Sequence, residues 1–165
     1  MKLTYLVSAL EWCKSNGMTY SCLDAHVRPM IYTSDNFETG VVVDYITGTH
    51  NYHPKTNNAS DAQFLSWWKG RNFTQAYFDS RGLLEDQVII SKTYPTNSGS
   101  MPSGSEALLR EVLGQNQMKP KCAASLMAEI FSGSLHPEAR EYMLDMLQHA
   151  RYSYSSIGMG TPPGS

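Results

Sequence analysis

The chain has 165 residues, of which 41% are apolar and 17% charged, with a formal net charge of -2. This length fits one domain with a self-sufficient core, and without a basic excess nucleic-acid binding is not expected. No run of about 18 apolar residues occurs, so we expect no membrane-spanning segment.

The cysteines and the first residues indicate a reducing compartment. Cys13, Cys22 and Cys122 are an odd number without CxxC spacing, which argues against a disulfide framework and a cysteine-rich zinc site. Charged residues interrupt the early apolar run before it reaches the length of a signal peptide. We therefore expect a cytoplasmic protein, in which the glycosylation sequences at 58–60 and 72–74 have no role.

The first third of the chain predicts a helix followed by strands. Apolar residues with helical spacing form one stripe, made of Leu3, Leu6, Val7 and Leu10. Runs of β-branched, aromatic and other apolar residues predict strands at 18–23, 30–33 and 41–46, with Pro29 as a break. Both faces of 41–46 are mostly apolar, so we place this strand inside the sheet.

The middle of the chain alternates between loops and short elements. A long polar loop covers 47–59. Capping patterns then predict two short helices, at 60–70 and 72–82. A β-like run at 87–94 predicts one more strand, and a Ser/Gly/Pro-rich loop follows at 96–104.

The last third predicts helices only, between 103 and 114, 120 and 133, and 137 and 150. The predicted fold class is therefore α+β. It has an N-terminal helix, a small sheet of three or four strands with a two-helix insertion, and three C-terminal helices packed on the sheet. We expect one domain over 1–152 and a flexible Ser/Gly/Pro-rich tail over 153–165.

The polar loop contains the first candidate site. His50 and His53 lie three residues apart in a connection longer than usual, and such loops often carry functional side chains. Two imidazoles could bind a metal with Asp44 or Asp24 as a third ligand. Because no third ligand sits at a recognisable spacing, we expect no metal and no other cofactor.

The same loop predicts a ligand-binding site made of His50, Tyr52, His53 and Lys55. The loop could also supply catalytic side chains to a small hydrolase. Such an enzyme needs a thiolate, an activating imidazole and a group that orients the imidazole. Cys22 would be the nucleophile. His26, His50 or His53 would be the base, and Asp24 or Asp44 would orient it. No nucleophile signature surrounds Cys22, so a small buried cysteine is the favoured interpretation.

Aromatic residues alternate with cations between 67 and 73, which predicts an interface made of Trp67, Lys69, Arg71 and Phe73. Trp68 continues the face of Phe64 and Leu65, so it is expected in the core and Trp67 is expected to be exposed. An exposed tryptophan beside cations suits a protein interface at least as well as a single-stranded nucleic acid.

The reactive side chains are scattered along the chain, so we favour a non-catalytic macromolecular interaction protein. It would be an assembly subunit, or an accessory or inhibitory binding factor, with a protein partner or a second copy of itself. Two alternatives stay open. One is a small hydrolase or small-ligand-binding protein that uses the His50/His53 loop, and the other is a binder of single-stranded nucleic acid through Trp67–Arg71.

Overall fold

The computed structural model describes residues 1–83, 88–90 and 102–150, and every regular element among them is helical. The α-helices of these ranges are α1 Lys2–Ser15, α2 Asp24–Tyr32, α3 Asn36–Thr47, α4 Ala62–Arg71, α5 Phe73–Ser80, α6 Gly104–Leu113, α7 Pro120–Ser132 and α8 Arg140–Ala150. Short 3-10 helices at Tyr20–Leu23 and Pro137–Ala139 lead into α2 and α8. The predicted α+β fold is wrong, since the only β pairing in the described ranges is an isolated bridge between Ile89 and Gln117.

Helix α1 lies at the centre of the fold. Its residues 4–10 are all buried, and α2, α3 and α5 pack around it. A helix that is buried on all sides belongs inside a core, whereas the sequence predicted a single apolar stripe. Helix α8 packs on α2 and on α7, which closes the main hydrophobic cluster. The predicted N-terminal helix is therefore confirmed, in a more central position than expected.

A second, smaller hydrophobic cluster joins α4 to α6. Phe64 and Trp67 of α4 pack with Leu108 and Leu109 of α6. The three C-terminal helices are thus divided between two places: α6 completes this cluster, while α7 and α8 cover the main one. Their predicted packing on a sheet is wrong.

The segment 41–46, predicted as a buried strand, lies in α3. The buried side chains of α3 have helical spacing, and they include Thr39, Val42, Val43 and Ile46. The Asp35 side chain caps the helix by accepting a hydrogen bond from the Glu38 amide at 3.0 Å. Gly48 ends the helix in the left-handed conformation, with φ of 61°. Burial and capping outweigh the weak preference of β-branched residues for strands.

The strands predicted at 18–23 and 30–33 are also absent. The first contains the 3-10 helix Tyr20–Leu23, and most of the second lies in α2. The inward face of α2 has helical spacing, with Leu23, Val27, Met30 and Ile31 buried. Pro29 lies inside α2 and does not break the chain there.

A disulfide joins Cys13, near the end of α1, to Cys22 in the following 3-10 helix. The expectation that the cysteines are unpaired is therefore wrong for these two. Cys122 is a free, buried cysteine on α7. An odd number of cysteines can contain one bridge and one small apolar side chain, so the count alone does not exclude a disulfide.

The predicted helices at 60–70, 72–82 and in the last third of the chain are confirmed, with shifted ends. Of the predicted strand at 87–94, only residues 88–90 are described, and the tail at 153–165 lies outside the described residues, as does most of the loop at 96–104. The single-domain boundary at 152 stays a prediction. Within the described ranges, no helix has both the length and the apolar character needed to cross a membrane.

Candidate functional site

A fully buried arginine connects three helices at the base of the histidine-bearing loop. Arg71 is the last residue of α4, and its guanidinium forms ion pairs with Asp44 of α3 and Glu106 of α6. Nη1 bonds Asp44 Oδ1 and Nη2 bonds Glu106 Oε1. We call these three residues the Arg71 triad. Two carboxylates share one guanidinium, so the triad is short of one positive charge when both are ionised.

Arg71 also holds the beginning of the loop. Its Nη1 donates a hydrogen bond to the Thr49 carbonyl oxygen at 3.0 Å. On its other side, the guanidinium carbon lies 5.5 Å from the centre of the Trp67 ring. Arg71 is therefore an internal structural cation. The sequence predicted that it contacts a partner at the surface, and this prediction is wrong.

The loop is fixed to α6 by backbone and amide groups. The Ser105 amide donates to the Tyr52 carbonyl oxygen at 2.7 Å. Asn51 Oδ1 accepts hydrogen bonds from the Ser105 hydroxyl at 2.9 Å and from the Glu106 amide at 3.2 Å. Gly104 has φ of +58°, and a Cβ atom there would lie 2.2 Å from the Tyr52 carbonyl oxygen. Only glycine fits this approach, which directs Glu106 towards Arg71.

Of the residues predicted for the loop site, His50 and Asp44 are brought together by their side chains. His50 Nδ1 lies 3.1 Å from Asp44 Oδ2, and the two side chains are 82% and 16% exposed. They open onto a cavity of about 530 Å³ lined by Val41, Asp44, Tyr45, Gly48 and His50. We call it the His50 cavity. Asp44 thus has one oxygen on Arg71 and the other on an exposed imidazole.

The other predicted residues of this site lie elsewhere. His53 and Lys55 are exposed on the loop, while Tyr52 is half-buried with its ring 6.0 Å from that of Trp67. Cys22 is bound in the disulfide and offers no thiol. Among the described residues, no group of three or more His, Cys, Asp or Glu is placed to hold a metal ion.

The pKa of Glu106, in the Arg71 triad, is shifted by its surroundings. Burial raises the pKa of its carboxyl to about 7, while the Arg71 guanidinium acts in the opposite direction. The folded state therefore binds this proton more tightly than the unfolded chain does. The resulting stability is present in full below pH 4.5 and is lost as the pH rises towards 7.

Replacing Glu106 with glutamine should remove this pH dependence. Between pH 4.5 and 7.5, the free energy of unfolding of the wild type should fall relative to Glu106→Gln by on the order of 3 kcal/mol, since each pKa unit corresponds to about 1.4 kcal/mol. Denaturant titrations of both proteins across this range measure the difference. Subtracting the two stability profiles cancels the contributions of other titratable groups. One of these is the buried His136, whose pKa is lowered by burial. A difference of the opposite sign would show a net stabilising ion pair instead.

The predicted interface between 67 and 73 is divided between interior and surface. Trp67 is only 8% exposed, and its Nε1 donates to the His50 carbonyl oxygen at 2.9 Å, so the expectation that it is exposed is wrong. Trp68, predicted in the core, is half-buried. Lys69 is exposed and Phe73 is half-buried. A single strand could not stack on Trp67 beside Arg71 in this arrangement.

A second cavity lies on the outer side of α4, and we call it the apolar cavity. It has a volume of about 430 Å³ and is lined by Leu65, Trp68, Lys69, Asn72, Gln75, Val88, Ile89 and Leu113. Leu65 is 45% exposed although it is a large apolar side chain. Lys69 is the one charged side chain in this lining, as far as the structure describes it. The cavity is therefore an apolar recess with a cation at its rim.

The far wall of the apolar cavity is held in place by hydrogen bonds. Gln75 Oε1 accepts from the Ile90 amide at 2.9 Å. Ile89 and Gln117 exchange two backbone hydrogen bonds, at 3.0 and 2.8 Å. Val88 and Ile89 are thereby fixed opposite α4, so the recess is preformed.

Sequence reasoning missed Asn51, Glu106 and the lining of the apolar cavity. Asn51 and Glu106 are 55 residues apart and meet only through the fold. Leu65 gave a partial signal, since it lies next to the buried Phe64 and the half-buried Trp68 on α4 while being exposed itself. Trp68 and Lys69 lie on the same helix as Leu65. The rest of the lining, such as Val88, Ile89 and Leu113, comes from other parts of the chain, so the sequence alone could not group it.

Comparison with known proteins gives one similarity to report. The chain is 33% identical over 164 residues to Golvesin of Dictyostelium discoideum. The match covers 99% of this chain but spans only 28% of that protein's length. No protein-family model matches the chain, and no solved structure matches it.

Proposed function

We propose that this chain is a non-catalytic interaction domain that binds a short protein segment in the apolar cavity. The observation that carries the proposal is a preformed recess with apolar walls and one cation, next to a large apolar side chain left exposed. Exposed apolar patches of this kind on a folded protein mark sites of interaction. The segment would place one large apolar side chain between Leu65, Trp68 and Leu113.

The charge of the recess selects the chemistry of the segment. Lys69 at the rim favours an acidic residue beside the apolar anchor, because opposite charges steer association and favour one register. The proposed partner is therefore an acidic segment with one apolar anchor, supplied by another protein.

Two further observations support a binding role over a catalytic one. Asp44 is occupied by the Arg71 triad, and Cys22 lacks the thiol that the hydrolase alternative needs. The similarity to a stretch of a protein more than three times longer is what a module within a larger chain would give.

Selection from a random peptide library displayed on phage tests the proposal. Enriched peptides should contain a leucine, phenylalanine or tryptophan with aspartate or glutamate close by. Leu65→Asp should weaken their binding by at least about tenfold, because a residue that contacts the central anchor contributes more than about 1.4 kcal/mol. Lys69→Glu should weaken the binding of peptides that have an acidic residue beside the anchor. Selection on this variant should enrich peptides with a basic residue there instead. Tryptophan fluorescence, to which Trp68 in the cavity wall contributes, gives the affinities.

Phe131→Asp is the matched control. Phe131 is 52% exposed on α7 and does not line the apolar cavity, so this variant should bind the peptides as the wild type does. Equal binding by Leu65→Asp, or no enrichment with the wild type, would contradict the proposal. A concentration-dependent dimer, abolished by Leu65→Asp in light scattering, would assign the cavity to a second copy and exclude the acidic segment.

A second candidate function, small-ligand binding, is favoured by the His50 cavity. There an exposed imidazole is oriented by Asp44, which is itself held by Arg71. His50→Ala removes the imidazole and leaves the contact between Arg71 and Asp44. A screen of small organic acids and amines by NMR should then find ligands that shift the amides of Asp44 and Gly48 in the wild type only. If the screen finds no such ligand, small-ligand binding at the His50 cavity is excluded.

The disulfide also changes the expected compartment. Bridges such as Cys13–Cys22 persist in oxidising environments and are rare in the cytosol. The cytoplasmic expectation depended on unpaired cysteines as well as on the first residues of the chain, and with two of the cysteines paired we infer an oxidising compartment instead. Alkylation of the protein in extracts from its own cells, before any reduction, should modify Cys122 alone after denaturation. Three alkylated cysteines would restore the cytoplasmic interpretation.

A further inference from the structure

We propose that Asn58 carries an N-linked glycan and that Asn72, the other candidate, does not. Both positions have the acceptor pattern, in Asn58-Ala59-Ser60 and Asn72-Phe73-Thr74. The pattern is meaningful only in a compartment where N-glycosylation occurs, and such compartments are also the ones that permit disulfides. The Cys13–Cys22 bridge is thus an independent observation in favour of a compartment in which these two sequences can be glycosylated.

Asn58 lies in an exposed turn immediately before α4. Asn58 and Ser60 are exposed, while Ala59 between them packs against the cluster that joins α4 to α6. The Asn58 side-chain oxygen accepts a hydrogen bond from the Ser60 amide at 2.9 Å. Its amide nitrogen, the atom that would be modified, has no hydrogen-bond partner within the described ranges. The turn is therefore anchored on one side and accessible on the other.

Asn72 has the opposite surroundings. It is half-buried at the junction of α4 and α5 and lines the apolar cavity. The third residue of its acceptor pattern, Thr74, is fully buried. A glycan on Asn72 would fill the apolar cavity and press on the packed junction of α4 and α5, so the folded chain disfavours this site.

The chemistry is a single group transfer. The amide nitrogen of Asn58 forms a bond to the anomeric carbon of an oligosaccharide that is activated as a lipid diphosphate. The bond between that carbon and the diphosphate oxygen breaks, the lipid diphosphate leaves, and the amide gives up one proton. Because Asn58 is outside both cavities, the glycan would leave the apolar cavity open, and this inference does not depend on the proposed function.

The test is peptide mapping by mass spectrometry of the full-length protein purified from its own cells. After treatment with peptide N-glycosidase, Asn58 should be converted to aspartate and Asn72 should remain asparagine. The same chain secreted by a eukaryotic cell behind a cleavable signal sequence should carry one glycan. Asn58→Gln and Ser60→Ala should each abolish that glycan, whereas Asn72→Gln should retain it. An unmodified Asn58 in the native protein, or a glycan on Asn72, would overturn the inference.

Discussion

Replacing Arg71 with methionine is expected to lower the free energy of unfolding by about 3–5 kcal/mol, the usual cost of removing one partner from a buried ion pair. The side chain is fully buried, and Asp44 and Glu106 both depend on it for compensation of their charge. The Thr49 carbonyl would lose its donor as well. Denaturant titration monitored by circular dichroism measures the change.

Lys69→Met is the matched control for that experiment, because it removes a cation from the same helix. Lys69 is exposed, so its replacement should change the free energy of unfolding by less than about 0.5 kcal/mol. The triple variant Asp44→Asn, Arg71→Met, Glu106→Gln should recover part of the loss, since no buried charge is left uncompensated. An Arg71→Met protein as stable as the Lys69→Met protein would show that the triad does not hold the fold.

Loss of the disulfide should have the second largest effect. The Cys13→Ala, Cys22→Ala double variant should be less stable than the wild type by about 3 kcal/mol, as expected for a closed loop of about 10 residues. The bridge connects the central helix α1 to the segment that begins α2, so its loss frees the entry to the core. Unfolding in guanidinium under non-reducing conditions measures the difference.

Reductant separates the bridge from the side chains themselves. The wild type should lose a similar stability when reduced, while the double variant should not respond. Cys122→Ala keeps the bridge and should remain sensitive to reductant, with only a small loss from its buried side chain. A wild type whose stability is unchanged by reductant would contradict the assigned bridge.

The sequence predicted the helices correctly where local signals agreed with each other. In α7, Pro120 at the first turn, a regular apolar stripe and Gly133 at the end all indicate one helix. Local signals also existed for α3, in the capping pair Asp35 and Glu38 and in Gly48. The run of three valines indicates a strand, but a short apolar run does not distinguish a strand from a buried helix.

The candidate site was predicted only in part, because its residues meet through the tertiary fold. His50 lies just after the end of α3 and six residues after Asp44, and its pairing with Asp44 was one of several combinations that the sequence left open. The burial of Arg71 could not be predicted, since it requires Glu106 from a helix 35 residues away. A cation close to aromatic residues in the sequence is compatible with an exposed platform and with a buried triad, and only the fold decides between them.

The most direct test of the account is an amide chemical-shift map of the chain upon addition of a selected acidic peptide. We predict that the largest shifts fall on Leu65, Trp68, Lys69 and Ile89 around the apolar cavity, with His50 and Asp44 unchanged. Shifts centred on His50 and Gly48, with Leu65 unaffected, would contradict the claim that the apolar cavity is the binding site.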